Sequence, residues 1–304
     1  TTTATTTATT TATTTATTTT ETTTTASVAS TRPPGAASGG PNSFAGPEAT
    51  SLQATTIVSF SLFCFLVMQT NNYELGLVKM QVQKGIGIFE CSEHAVFCET
   101  GGLALGSGPQ GPAYTLGIPP VSDSVGNTAV AGQTTSSWLN AMTFQAVWKQ
   151  VAADGRYRSH VWTAKVDPDA VFFPHRLLDR LRPHTPGPEG LYVHNCDRFA
   201  NINMFGALEV FSRVAVDKYS AGAERCRSEL AWHGWGEDFF VEHCLDLLGV
   251  PFYNGFDTLA DTFCHFPANA PCNDKFMPAY HPFKATSTFL QCWQQANIAA
   301  HPPP

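Results

Sequence analysis

The sequence has few charged side chains and no cluster of basic ones. Asp, Glu, Lys and Arg make up 13% of its 304 residues, and the formal net charge is −7. Proteins that bind the phosphate backbone of nucleic acids need a basic surface. We therefore predict that nucleic acid is not a partner of this chain.

The sequence also lacks an apolar run long enough to cross a bilayer. The most apolar run, residues 57–68, has only twelve residues and is interrupted by Ser59 and Ser61, whereas a membrane-spanning helix needs about 20. This run is predicted to be a buried strand. Since the chain does not begin with Met, we expect it to be a fragment or a processed product. Contact with a membrane would require an anchor that is not present in this chain.

Cysteine pairs with the spacing of zinc ligands are absent as well. The nine cysteines include no C-x-x-C pair, the spacing typical of structural zinc sites. We predict disulfides formed in an oxidising compartment, with Cys264–Cys272 and Cys196–Cys226 as candidate pairs. The odd total leaves at least one thiol free or paired with another chain. A cytosolic enzyme with buried free cysteines is the alternative.

The first 50 residues have no apolar face that could pack. Residues 1–25 repeat a TTTA pattern around Glu21, and residues 26–50 are rich in Pro, Gly and Ser. Such segments cannot bury enough apolar surface to fold. We predict a disordered stalk over residues 1–50, either O-glycosylated or an unmodified spacer, followed by one folded domain over residues 51–304.

The pattern of apolar residues predicts a strand–helix–strand unit at the start of the folded domain. The strand is followed by a helix over residues 73–84, which ends at Gly85, and by a short strand over residues 86–89. Units of this kind imply a parallel sheet that binds ligands at the carboxyl ends of its strands. The predicted fold class is therefore α/β, with a mixed, mainly parallel sheet flanked by helices.

A glycine-rich segment, residues 101–132, is predicted to be a loop. It contains a G-x-G-x-x-G pattern at Gly106, Gly108 and Gly111, but it also contains prolines and opens no helix. We therefore do not interpret the pattern as a nucleotide-binding fingerprint. A helix capped by Thr or Ser is predicted next, over residues 134–153.

The strand after this helix, within residues 160–173, ends in Asp167, Pro168 and Asp169. In an extended segment alternate side chains share a face, so Lys165 and the two aspartates should point the same way. Two converging carboxylates suit a hard divalent cation such as Mg²⁺ or Mn²⁺, whose remaining ligands are water and substrate phosphates. The alternative is an Asp-Pro-Asp turn in which the acids only cap the next helix.

Two small residues mark a possible ligand approach further along the chain. A helix from Pro174 to about residue 181 and a strand over residues 190–195 are predicted first. In residues 203–219, Gly206 and Ala207 then precede an amphipathic helical pattern. Small side chains here would let a ligand approach the backbone, and an ordinary helix entry is the alternative.

The last candidate functional residues are Glu237, Asp238 and His281. The two acids open a helical pattern over residues 235–249, where a rigid element could aim a carboxylate as a general base. Acidic first turns also occur for dipole reasons alone. His281 precedes a proline in an irregular tail and is either a packed surface residue or a third ligand for the same ion.

These motifs occur in an order that indicates a family. They are the Asp-Pro-Asp after an apolar strand, the Gly-Ala before a predicted helix, the Gly-Glu-Asp at a helix start and the late His-Pro-Phe-Lys. The sequence resembles the metal-dependent GT-A fold glycosyltransferases, most closely the fringe and β-1,3-galactosyltransferase-like group. The resemblance implies a Rossmann-like GT-A sheet. It also implies that the enzyme transfers a hexose-type sugar from a UDP-sugar to a hydroxyl of a glycan or glycoprotein acceptor, with inversion.

The resemblance also implies roles for individual residues. Mn²⁺ or Mg²⁺ would be held by Asp167, Asp169 and His281. The predicted residues that bind the nucleotide-sugar donor are Asp167, Asp169, Lys165, Gly206 and Ala207. Asp238 would be the catalytic base, with Glu237 as its acidic neighbour. Members of the group are type II Golgi proteins with a stem, so the predicted location is the Golgi or secretory-pathway lumen, or the medium after secretion.

The chain departs from the group's pattern at two positions. Pro168 stands where a third acid is usual, and Phe239 stands where a valine is usual. The donor sugar, the acceptor and the linkage are therefore left open. The second hypothesis is a non-catalytic secreted module, in which a degenerate GT-A domain is carried on a mucin-like stalk.

Overall fold

The computed structural model describes residues 60–264 and 272–300, with side chains to residue 298. The stalk predicted over residues 1–50 lies outside the described residues and stays a prediction. The described part is a mixed α/β fold in which helices cover both faces of an eight-stranded sheet. The predicted fold class is confirmed.

Strands and helices alternate along most of the described chain. The described strands are β1 (Leu62–Val67), β2 (Glu93–Cys98), β3 (Ala104–Gly108), β4 (Gly111–Gly117), β5 (Ser124–Val125), β6 (Trp138–Leu139), β7 (Trp162–Val166), β8 (Val171–Phe172), β9 (Tyr192–His194), β10 (Leu208–Ser212), β11 (Phe252–Asn254), β12 (Leu259–Asp261) and β13 (Ala279–His281). The described helices are α1 (Glu74–Lys84), α2 (Ala141–Asp154), α3 (Pro174–Leu181), α4 (Arg213–Glu229), α5 (Glu237–Leu247) and α6 (Thr286–Ala300).

The large sheet has the strand order β11, β9, β10, β7, β1, β2, β4, β3. It is parallel at its centre, where β7, β1, β2 and β4 lie side by side, and β10 runs antiparallel to β7. A second sheet consists of β12, β13 and β8, with β13 antiparallel to β8. Since β8 directly follows the Asp-Pro-Asp segment, the pairing of β13 with β8 places β13 beside that segment.

The strand β1 is buried on both faces, as predicted for the apolar run. Leu62, Cys64 and Leu66 belong to the core that includes residues of α1 and α3. Phe63 and Phe65 belong to the core on the other face, which includes residues of α2, α4 and α5. A strand that is buried on both faces has no solvent-exposed face, so polar residues do not alternate with apolar ones along it. This explains the nearly continuous apolar sequence of β1.

The predicted strand–helix–strand unit is present, but its last strand was placed too early. The helix α1 ends at Gly85, which has a positive φ of 63°, and β2 pairs parallel with β1. Residues 86–89 are not a strand, and Gly87–Glu90 form a 3₁₀ turn. Gly87 has a φ of 67°, a conformation that interrupts an extended segment.

The glycine-rich segment is not entirely a loop, because it contains the antiparallel hairpin of β3 and β4. Its glycines serve the hairpin, since Gly106 and Gly111 have positive φ values of 116° and 99°. The G-x-G-x-x-G pattern therefore lies within a hairpin, whereas a nucleotide-binding fingerprint precedes a helix.

The helix predicted after the glycine-rich segment begins later than expected. The helix predicted over residues 134–153 starts only at Ala141 and is preceded by Asn140 rather than capped by Thr or Ser. Tertiary hydrogen bonds hold the preceding residues out of the helix: Thr134 N–H donates to the Gly234 carbonyl at 3.0 Å, and Asn140 Oδ1 accepts from Glu237 N–H at 3.0 Å.

The amphipathic run that follows Gly206 and Ala207 was wrongly interpreted as helical from its start. Its first half is β10, which pairs with β7, and α4 starts at Arg213 with Ser212 as its cap. Alternation explains the strand, because Leu208 and Val210 enter one core whereas Phe211 enters the other. The helix at Pro174, the strand near residue 193 and the helix start at Glu237 are all observed.

Four disulfides close the fold, and both predicted pairs were wrong. The pairs are Cys64–Cys91, Cys196–Cys264, Cys226–Cys244 and Cys272–Cys292. Cys98 is buried and free, which accounts for the odd total. Sequence spacing could not identify partners that the sheet brings together from as far as 68 residues apart. Across the described ranges, each helix is too short or too polar to cross a membrane.

Candidate active site and metal centre

The two aspartates lie in a tight turn after β7. The Ala170 N–H donates to the Asp167 carbonyl at 3.1 Å, so the extended geometry predicted to run through Asp169 was wrong. Gln81 of α1 stabilises the turn, because its Nε2 donates to the Pro168 carbonyl at 2.8 Å. The capping alternative also fails, because no side chain caps α3 at Phe173.

His281 brings the two carboxylates together. Its Nε2 lies 3.3 Å from Asp169 Oδ1 and 4.0 Å from Asp167 Oδ2. One ligand atom from each of the three residues lies within 4.8 Å of the others. The strand β13 places His281 there, because it pairs with β8, which follows the aspartates.

Two further residues hold this cluster, and no local motif in the sequence indicated either of them. Asp261, buried at the end of β12, hydrogen-bonds His281 Nδ1; the parallel pairing of β12 with β13 puts these two residues opposite each other. Tyr73, just before α1, donates its hydroxyl to Asp169 Oδ2 at 3.1 Å. Both act across the fold, so only tertiary structure identifies them.

The cluster creates a strongly negative environment. Burial alone would lower the pKa of His281, but its contacts with Asp169 and Asp261 raise that pKa to about 10. Burial would likewise raise the pKa of Asp169, but the hydrogen bond with His281 keeps it below its usual value. Burial raises the pKa of Asp167. A positive charge is therefore favoured where the three side chains meet.

Asp167, Asp169 and His281 fit a divalent cation. Carboxylates suit Mg²⁺ and Mn²⁺, and a metal-bound histidine usually gives its other ring nitrogen to a carboxylate, as His281 does to Asp261. Opposite ligands of an ion with bonds of about 2.1 Å lie about 4.2 Å apart. The two distances from His281 Nε2, 3.3 and 4.0 Å, lie within that spread, and the 4.8 Å limit for the whole set exceeds it only slightly, so a small contraction would bring all three ligand atoms onto one ion.

Lys165 connects this cluster to a second group of acids. Its side chain is fully buried, and its Nζ donates to Asp167 Oδ1 at 2.7 Å, Glu237 Oε1 at 2.8 Å and the Gly206 carbonyl at 2.6 Å. Burial would lower the pKa of Lys165, but these carboxylates raise it well above the usual value. The ammonium is fully engaged within the protein, and the prediction that it binds the donor directly stays a prediction.

Glu209 faces Lys165 from the neighbouring strand. The two residues are opposite in the β7–β10 register, with Oε1 3.7 Å from Nζ. Glu209 is fully buried, and burial raises its pKa well above the usual value. Burial therefore favours the neutral form of this carboxyl, whereas Asp167 and Glu237 hydrogen-bond Lys165 directly.

Glu237 and Asp238 open α5 in contact with Gly206. The Gly206 N–H donates to Asp238 Oδ2 at 3.1 Å, and the Phe239 N–H donates to Asp238 Oδ1 at 2.8 Å. A Cβ on Gly206 would lie 2.7 Å from Glu237 Oε1 and 3.4 Å from Asp238 Oδ2. The absence of a side chain at Gly206 is therefore what allows both carboxylates to approach the backbone.

The two neighbouring acids have very different environments. Burial, and then the charge of Glu237, raise the pKa of Asp238 to about 7. Burial would also raise the pKa of Glu237, but the charge and hydrogen bond of Lys165 keep it below the usual value. Glu237 is ionised at neutral pH, whereas Asp238 is poised to gain or lose a proton there.

The loop that carries Gly206 and Ala207 is held by buried polar side chains. Asn195 donates to the Phe205 carbonyl at 3.0 Å and accepts from the Phe205 N–H at 2.7 Å. Glu242 of α5 accepts from the N–H groups of Asn203 and Met204 at 2.9 and 2.8 Å. The Ala207 carbonyl accepts from the Asp167 N–H at 3.1 Å, which ties the loop to the aspartate turn.

All eight residues predicted from the sequence therefore belong to one network of contacts. They are Lys165, Asp167, Asp169, Gly206, Ala207, Glu237, Asp238 and His281. Sequence reasoning missed the residues that support them, which are Tyr73, Asn140, Asn195, Glu242 and Asp261. Each of these acts through a partner at least ten residues away, so no local motif indicated them.

Comparisons with known proteins add little to this geometry. No family model and no curated protein matches the sequence. Among solved structures, the chain is similar to a glycosyltransferase involved in the glycosylation of the major capsid of PBCV-1. The two share 10% sequence identity with a TM-score of 0.43, and the match covers 78% of this chain and 99% of that chain. A structural similarity at this sequence identity and TM-score does not indicate the chemistry of this chain.

Proposed function

We propose that this protein is a metal-dependent glycosyltransferase that moves a hexose-type sugar from a UDP-sugar to a hydroxyl of a glycan or glycoprotein acceptor. One observation carries the proposal: the Asp167, Asp169 and His281 cluster is joined through Lys165 to Glu237 and its neighbour Asp238. A cation site and a carboxylate whose pKa is about 7 are what this transfer requires, and the resemblance drawn from the sequence names the same residues.

In the proposed reaction Asp238 is the general base. It takes the proton of the acceptor hydroxyl while that oxygen bonds to the anomeric carbon of the donor. The bond from this carbon to the diphosphate oxygen breaks, and its electron pair leaves with UDP. A single displacement of this kind inverts the anomeric configuration. A base is most effective when its pKa lies near the working pH, and the pKa of Asp238 is about 7.

The other residues of the network hold the donor. Asp167, Asp169 and His281 would bind Mn²⁺ or Mg²⁺, which when bound neutralises charge on the departing diphosphate. Asp261 orients His281 through Nδ1 and leaves Nε2 to face the ion. Lys165 keeps Asp167 and Glu237 in place, and the backbone at Gly206 and Ala207 binds Asp238 and the aspartate turn. Direct contact of Gly206 and Ala207 with the donor stays a prediction.

We further propose that the protein acts in the lumen of the Golgi or the secretory pathway. Its four disulfides are typical of proteins that fold in an oxidising compartment. The resemblance to a group of Golgi enzymes supports the finer assignment.

The test is release of UDP from a panel of UDP-hexoses, with Mn²⁺ present, by the full chain and by Asp238→Asn. We expect the variant to lose at least about 100-fold in rate, the usual contribution of a general base, while it still binds UDP. Asp179→Asn, on an exposed carboxylate, is the matched control and should keep the parent rate.

Two outcomes would count against the proposal. A folded parent that releases UDP from none of the donors would favour the non-catalytic module, and an Asp238→Asn variant with the parent rate would assign the base to another residue.

A further inference from the structure

Three phenylalanines lie side by side at the edge of the candidate site, and we refer to them as the phenylalanine strip. The ring centroids of Phe199 and Phe205 are 6.3 Å apart with planes only 10° from parallel, and those of Phe205 and Phe263 are 6.4 Å apart. Phe199 is 38% exposed and Phe263 is 57% exposed. Neighbouring apolar rings in contact with water commonly mark a binding surface.

The strip lies between the two ends of the candidate site. Phe205 directly precedes Gly206, whose N–H binds Asp238. Phe263 donates its N–H to Asp261 Oδ1 at 2.6 Å, and Asp261 is the partner of His281. The backbone that carries the strip is therefore joined both to the proposed base and to the partner of His281.

The loops that carry the strip are fixed in place. The Cys196–Cys264 disulfide joins the loop of Phe199 to the loop of Phe263. Arg198 Nη1 also donates to the Phe263 carbonyl at 2.8 Å, and Asn195 binds both backbone groups of Phe205. Because the surface is formed before a ligand arrives, binding would require little further ordering of the protein.

We propose that the phenylalanine strip binds the acceptor of the transfer reaction through one face of a pyranose ring. Aromatic rings offer an apolar face without charge, so they suit a neutral ligand with an apolar face of its own. A pyranoside with equatorial hydroxyls has such faces, formed by its axial C–H groups, and its hydroxyls point outward at the ring's edge. One of them would reach Asp238 while the ring lies on the phenylalanines.

This inference rests on the proposed function, and it goes further by naming the chemical class of the acceptor. The donor is recognised through its charge by the cation site, whereas the acceptor is recognised through the apolar shape of its ring. Two charged side chains of the described residues flank the strip: Arg198, whose guanidinium lies 5.9 Å from the centroid of the Phe199 ring, and Asp261, which contacts the strip through the backbone N–H of Phe263.

The test is saturation-transfer difference NMR on the full chain with Mn²⁺, UDP and methyl β-D-glucopyranoside as the probe. We expect transfer to the axial C–H protons of the probe in the parent, and a loss of about three- to tenfold in Phe199→Ala and Phe263→Ala, the range of a single aromatic contact. Phe276→Ala, which removes another exposed ring, is the matched control and should keep the parent signal. Circular dichroism checks that all variants fold.

Four results would overturn the inference. They are an absent probe signal in the parent, an unchanged signal in both strip variants, an equal loss in Phe276→Ala, and a parent dimer that becomes a monomer in the strip variants on sedimentation. The last would assign the strip to contacts between copies of the chain. Binding of UDP is measured on the same samples. If UDP binds with Mn²⁺ and the probe signal fails, only the acceptor site is wrong, whereas failure of UDP binding removes the proposed function and this inference with it.

Discussion

At the scale of single residues, two adjacent carboxylates differ in protonation behaviour because Glu237 hydrogen-bonds Lys165, whereas burial and the charge of Glu237 raise the pKa of Asp238. Glu237 reaches Lys165 Nζ at 2.8 Å and keeps a low pKa. Asp238 is partly buried beside the charge of Glu237 and has a pKa of about 7. Environments that separate the pKa values of two acids are typical of acid–base catalysis, which is why Asp238 rather than Glu237 is the proposed base.

This assignment predicts the pH dependence of transfer. A base works only when ionised, and the pKa of Asp238 is about 7, so activity should be lost as the pH falls through that value. Below it, kcat/KM should fall by about tenfold per pH unit. The profile is measured at saturating Mn²⁺, and Mn²⁺ binding is followed at each pH as a control. A rate that stays constant well below pH 7 while the metal remains bound would contradict the assignment.

Asp261 provides a second prediction at this scale. Since it holds His281 Nδ1, replacing it by alanine should free the imidazole to rotate and to change tautomer. We expect Asp261→Ala to weaken Mn²⁺ binding by about 10- to 100-fold, the usual effect of losing such a partner. Calorimetric titration of Mn²⁺ measures this, with Asp257→Ala on an exposed carboxylate as the control. Equal affinities in the two variants would remove Asp261 from the site.

At the scale of elements, the close approach of α5 to the loop of Gly206 can be tested directly. A Cβ on Gly206 would lie 2.7 Å from Glu237 Oε1, and Lys165 keeps that carboxylate from moving away. We expect Gly206→Ala to reduce transfer and to cost about 1–3 kcal/mol of unfolding free energy, as overpacking does. Transfer assays and urea unfolding measure the two effects.

Gly76, in the first turn of α1, is the matched control for Gly206. A Cβ there meets nothing within 4 Å, so Gly76→Ala should keep transfer unchanged and gain about 0.5–1 kcal/mol of stability from better helix propensity. If both alanine variants keep the parent activity, the close packing at Gly206 does not matter for function.

Elements with strong local signals were predicted well. The apolar run of β1, the proline that opens α3 and the glycine that ends α1 all specify their structures within a few residues. The acids and His281 were also identified, because each lies in a short motif. What local sequence could not show is where distant segments meet, and this is why α2 was predicted to begin before Asn140.

The same limit explains the missed parts of the site. Asp261 and His281 are partners only because β12 and β13 pair in parallel, and Asn195 reaches Phe205 only after β9 and β10 have paired in the large sheet. The four disulfides depend in the same way on tertiary contacts. A sequence pattern can therefore name the candidate reactive residues, whereas the residues that position them follow from the fold.

At the scale of the whole molecule, the candidate site is assembled from five widely separated parts of the chain. The start of α1 supplies Tyr73, the end of β7 the aspartates, the loop before β10 Gly206, the start of α5 Asp238 and the end of β13 His281. The carboxyl ends of β1 and β7, which run parallel, bring the first two together, as expected for ligand sites in parallel sheets. The proposed function therefore requires that this edge of the sheet binds a metal-bound nucleotide.

Isothermal titration of UDP into the full chain, with and without Mn²⁺, tests that claim most directly. We expect UDP to bind only when Mn²⁺ is present, and we expect this binding to be lost in the Asp167→Asn, Asp169→Asn double variant. Asparagine keeps the volume of each aspartate side chain. Asp179→Asn should bind as the parent does. A folded parent that does not bind UDP, or that binds equally well without Mn²⁺ or without both aspartates, would contradict it.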